Sequence, residues 1–76
     1  MALMKNALEK QTGGTHYKDM AIQPAEYAEK NGLSLLEGNI VKYVSRWKKK
    51  GGLTDLQKII HCAELIIEIH GIKENK

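Results

Sequence analysis

Asn39, Lys42, Arg46, Lys49 and Lys50 recur at helical intervals within one apolar-patterned stretch. At 100° per residue they share an arc of about 100° on one side of a helix. An arginine fork beside a lysine point charge is a good constellation for a phosphate group. The plainer reading is a solvated, lysine-rich last turn that complements the helix dipole. Asn39, Lys42 and Arg46 lie mid-helix, where that terminal argument weakens. A second chemical feature is the run Gly13-Gly14-Thr15-His16-Tyr17-Lys18. Its glycine pair frees backbone N–H groups and its side chains add donors, as a phosphate cradle requires. It lacks the spacing of a P-loop, and His16 reads more readily as a surface or packing histidine than as a catalyst. Metal chemistry has little to work with, since His16, His61, Cys62 and His70 show none of the paired spacings of zinc sites.

Three helices should position these residues. Pro24 suits a first helical turn, the residues after it favour helix, and Asn31-Gly32 is a stop signal. Gln23 precedes the proline and should be extended. Ser34 and Glu37 form an S-x-x-E capping box that opens a second helix running to about Lys50, ended by Gly51-Gly52. Thr54 and Gln57 repeat the device as T-x-x-Q, so a third helix is expected from Asp55 to about His70, terminated by Gly71. Residues 1–10 carry helical spacing but should order only against a partner. Residues 11–23 read as an ordered loop, and 72–76 as a frayed charged tail. The two long helices, joined by about four residues, should form an antiparallel hairpin. The expectation is a single all-α domain over 1–76.

Seventy-six residues give a marginal core. One cysteine permits no intrachain disulfide and fits a reducing cytosol. The stripe Leu36, Ile40, Tyr43, Val44 and Trp47 is an ordinary core face for the second helix. Apolar residues of the third helix instead sweep about 220° of its circumference, more than one neighbour can cover. Association with further copies would bury the excess, making the protein a homo-oligomer; the alternative is that the first helix and N-terminal segment wrap that side. No stretch approaches a signal peptide or a membrane span. The net charge of +3 and pI near 9.1 fit anionic partners without requiring nucleic acid.

Taken together, Gly13 to Lys18, Ile22-Gln23-Pro24, the run Glu37 to Arg46, Gly51-Gly52 and Asp55-Leu56-Gln57-Lys58 resemble the SaV-like family of small tailed-phage proteins over roughly residues 11 to 70. That resemblance implies a phage protein acting in the infected cell's cytoplasm. A related domain occurs in a coliphage nucleotide kinase that acts on deoxynucleoside monophosphates without a P-loop, so the resemblance supports a nucleotide ligand. The family-like polar positions here are His16, Tyr17, Lys18, Gln23, Asn39, Lys42, Tyr43, Arg46, Lys50, Asp55 and Lys58.

The leading expectation is a nucleotide-binding or phosphate-binding oligomer. Lys42, Arg46 and Lys50 hold phosphates with help from Asn39, Lys18 and His16. The loop from Gly13 and Gly14 to Lys18 closes over them, Gln23 borders the site, and Tyr17 or Tyr43 stacks on a base. Capture and nucleoside-monophosphate phosphorylation both stay open. No cofactor is expected for capture, whereas a kinase would need magnesium, for which Asp19 and Asp55 are the candidates. The alternative is an effector that engages a host defence or metabolic protein through its apolar face. DNA binding is disfavoured, because the third helix offers Glu64, Glu68 and a broad apolar arc where a recognition helix needs cations.

Overall fold

The computed structural model describes residues 19–73. The expectations for the N-terminal helix, for the loop through Lys18 and for residues 74–76 lie outside them. All regular structure among the described residues is helical: α1 (Pro24–Lys30), α2 (Leu35–Arg46) and α3 (Gly52–His70).

Local chemistry sets most of the boundaries. Pro24 opens α1, where its missing N–H costs nothing, and Gln23 before it is extended at φ −72, ψ 146. Gly32 stops the helix with φ +65, its N–H donating to Glu29 O at 3.2 Å while the Leu33 N–H reaches Ala28 O at 2.9 Å. This is a Schellman ending, and α3 ends the same way at Gly71, with φ +61 and the Ile72 N–H donating to Ile67 O at 3.1 Å. The capping box at Ser34 forms in both directions. The Glu37 N–H donates to Ser34 Oγ at 3.2 Å, and the Ser34 N–H donates to Glu37 Oε1 at 2.8 Å. The bond from the Ser34 backbone, helped by its hydroxyl, holds the Glu37 carboxyl below its ordinary value.

Two boundaries differ from the sequence expectation. α2 ends at Arg46 rather than near Lys50, because residues 47–50 turn. The N–H groups of Lys49 and Lys50 both converge on Arg46 O at 3.0 Å, and the Gly52 N–H reaches back to Trp47 O at 2.8 Å. α3 begins at Gly52, whose φ of +53 a side chain would strain. The Asp55 N–H already donates to Gly51 O at 3.3 Å, so Thr54 lies within the first turn and cannot cap it. The T-x-x-Q expectation is therefore overturned.

α1 packs on α2 and α2 on α3. The first contact is close at Gly38, where an added Cβ would touch Ala28 Cβ at 3.4 Å. The core is thin: among the described residues only Pro24, Asp55 and Cys62 are buried, and α2 buries none. Leu36, Ile40, Tyr43 and Trp47 are half-buried as the core stripe requires, but Val44 is 52% exposed. No helix among the described residues is long and apolar enough to cross a membrane.

The contrast between the two capping sequences is testable. Ser34→Ala should destabilise the protein by about 1 kcal/mol, lowering Tm by roughly 4–8 °C in a circular dichroism melt. Thr54→Ala should change stability by less than about 0.5 kcal/mol.

Candidate phosphate-binding face

The turn between α2 and α3 is closed by a two-pronged ion pair. Arg46 Nε donates to Asp55 Oδ2 at 2.9 Å and a terminal nitrogen of the same guanidinium donates to Asp55 Oδ1 at 3.2 Å. The side chains are 16% and 2% exposed. Backbone geometry makes room for it: a Cβ on Gly51 would collide with the Asp55 carboxylate. The Arg46 hydrogen bonds are the main reason the Asp55 carboxyl lies below its ordinary value, against the opposing effect of burial, with the charges of Arg46, Lys58 and Lys50 adding to the shift. Arg46, expected as a phosphate ligand, thus meets a carboxylate of its own chain. Asp55, expected as a candidate magnesium ligand, is buried against that guanidinium and could reach a metal only by breaking the pair. No group of three or more His, Cys, Asp or Glu side chains among the described residues could hold a metal ion.

Around this pair the cations converge on one ring. Arg46 Cζ and Lys58 Nζ lie 5.1 Å from the Tyr43 centroid, and Lys42 Nζ lies 5.7 Å from it. Each contact is favourable alone through the ring quadrupole. Together they crowd three positive charges from two helices into one neighbourhood, with Asp55 as the buried counter-charge. Lys58 was legible as a polar position but not as a partner of Tyr43, since only the packing of α3 on α2 brings it there.

Two hollows flank this ridge. One of about 590 Å³ lies between α1 and α2, with Pro24, Ala28 and Leu35 in its apolar wall and Gln23, Asn39 and Lys42 among its polar lining. The other, about 460 Å³, lies between α2 and α3 and includes Asn39, Tyr43, Lys58 and His61. Asn39 borders both. Three expected site residues, Gln23, Asn39 and Lys42, therefore meet in the first hollow, and Tyr43 joins Asn39 in the second. Lys50 lies on the exposed turn and lines neither hollow; its charge acts on Asp55. Gly13, Gly14, His16, Tyr17 and Lys18 lie outside the described residues. Lys42 is half-buried and forms no ion pair among the described residues. Among those residues Lys42 is the one lysine or arginine lining the first hollow, a cleft whose size is usual for small-molecule sites.

Residues 11–64 match the model of a family described as protein of unknown function, DUF3310. The chain belongs to the DUF3310 family. The matched span contains every residue lining the α1–α2 hollow, together with Tyr43, Arg46, Asp55 and Lys58. No curated protein and no solved structure matches this DUF3310 chain.

The Arg46–Asp55 pair predicts a pH signature. Asp55 is depressed in the folded state, so its contribution is full above the unfolded carboxylate range near pH 4 and is lost as pH falls through the lower native value. Asp55→Asn should lower Tm at pH 7 by on the order of 10 °C. The gap between variant and parent in urea midpoint should narrow steadily below about pH 4.

Proposed function

We propose that this DUF3310 protein is a SaV-like phage protein that binds a phosphate-bearing small molecule, a nucleotide by preference, as a homo-oligomer in the cytoplasm of the infected host cell. The observation that carries the reading is Lys42, a half-buried residue that forms no ion pair with a carboxylate among the described residues, beside a largely apolar hollow that Asn39, Gln23 and Glu29 also line. An anionic group on Lys42 would relieve a cation already crowded by Arg46 and Lys58 around Tyr43. The apolar wall suits a base or sugar, and the carboxamide of Asn39 offers both a donor and an acceptor to a base edge. Arg46 then acts through position: it anchors the turn and adds field, while Lys42 makes the contact.

Capture is favoured over phosphoryl transfer. A kinase needs a second nucleotide site and charge neutralisation at the transferring group, by magnesium in the known classes, and Asp55 is committed to Arg46. The effector reading draws its support from the apolar residues that α3 leaves exposed and would survive the loss of nucleotide binding.

Isothermal titration of deoxynucleoside monophosphates, with inorganic phosphate as the control, tests the reading. Lys42→Ala should weaken nucleotide affinity about tenfold or more, as expected for a lost charge-assisted hydrogen bond, with Tm little changed. Lys50→Ala should weaken it by less than about threefold, the scale of an exposed, screened charge. No heat with any nucleotide, or equal affinity in Lys42→Ala, would overturn it.

A further inference from the structure

On the side of α3 turned away from the Asn39–Tyr43 hollow, Leu53, Ile60 and Ile67 recur at intervals of seven and are 69%, 59% and 52% exposed. Leu56 and Ala63, three residues after the first two of them, are half-buried along the same line. A seven-residue apolar repeat makes a seam that stays on one side of a helix, and the surface that fits it is another helix with the same repeat. Val44, past the core stripe of α2, is also 52% exposed.

We infer that this seam is the contact between two copies of the chain, formed by α3 against the α3 of a second copy in antiparallel two-fold fashion. The inference rests on the homo-oligomer reading above and names its surface. Three observations select a second copy as the occupant. The first is area: Leu53, Ile60 and Ile67 leave roughly 400 Å² of apolar surface open, about half of the ~800 Å² that each partner of a standard interface buries. Leu56, Ala63 and a polar rim can supply the rest. The second is shape. With the axis between Ile60 and Ala63, each Ile60 seats over the partner's small Ala63, the large-on-small fit that close packing needs, and each Ile67 meets the partner's Leu56 in an apolar contact. The third is need, since among the described residues only Pro24, Asp55 and Cys62 are buried, so the described helices have a thin core that a second copy would thicken. The same geometry turns Lys42, Lys58 and both hollows outward, so each copy keeps its site open.

Sedimentation velocity across the micromolar range reads the assembly directly. The parent should sediment as a dimer, and Ile60→Lys, a change at a 59% exposed position, should shift it to monomer with helicity retained. A cysteine pair then fixes the direction. Leu56→Cys with Ile67→Cys, on a Cys62→Ala background, cannot close within one helix, because eleven residues span about 16 Å and a disulfide needs Cα atoms within about 7 Å. It should give a covalent dimer under oxidation that neither single cysteine gives. A parent that is monomeric throughout would overturn this inference together with the oligomer reading. A parent that stays oligomeric in Ile60→Lys and forms no 56–67 crosslink would overturn this surface alone.

Discussion

Arg46 and Asp55 sit on either side of a five-residue turn, and the bidentate bond between them decides how α2 lies on α3. A planar guanidinium meeting both carboxylate oxygens tolerates little rotation or slip. The pair is largely removed from water, so losing one partner would strand a buried charge, which is far costlier than losing a surface bridge. Gly51 leaves the carboxylate room, and Gly52 reverses the chain at positive φ. With the register set at this end, Lys58 falls against Tyr43 and Leu36 and Leu65 border the same hollow farther along.

The pair also sorts the cations of α2 and the following turn by task. Arg46 has a carboxylate of its own. Lys50 lies on the turn, exposed. Lys42, one turn before Arg46, has a tyrosine ring nearby and forms no ion pair among the described residues. Among the described residues, Lys42, Arg46 and Lys58 thus gather into a localised positive edge around Tyr43. That pattern suits a small anion better than the repeated phosphates of a nucleic-acid backbone, which call for many spread contacts.

Features determined by a few adjacent residues were legible in the sequence. The Ser34 capping box, Pro24 at the start of α1, and Gly32 and Gly71 as stops all depend on residues within one turn, and each has the structure its pattern implies. Thr54-x-x-Gln57 carries the same pattern yet does not cap, because the chain re-enters helix at Gly52 and closes a bond from Asp55 to Gly51 first. The cationic arc was readable as an arc, but the assignment of Arg46 was not. Asp55 is nine residues away, and its pairing depends on a turn whose geometry comes from Gly51 and Gly52 together. Val44 fell within the apolar arc of α2, but exposure depends on how far α3 reaches across it, which no single-helix periodicity contains.

The division of labour between Arg46 and Lys42 can be read in one experiment: a titration of the protein with a deoxynucleoside monophosphate followed by proton–nitrogen NMR, covering backbone amides, the Asn39 carboxamide and the Arg46 Nε–H. The Arg46 Nε–H should give a slowly exchanging signal that ligand leaves in place, while the Asn39 carboxamide and the amides around Lys42 should shift in a saturable way. An Arg46 signal that exchanges freely or moves with ligand, beside unmoved resonances at Asn39 and Lys42, would contradict it and return the phosphate to the guanidinium.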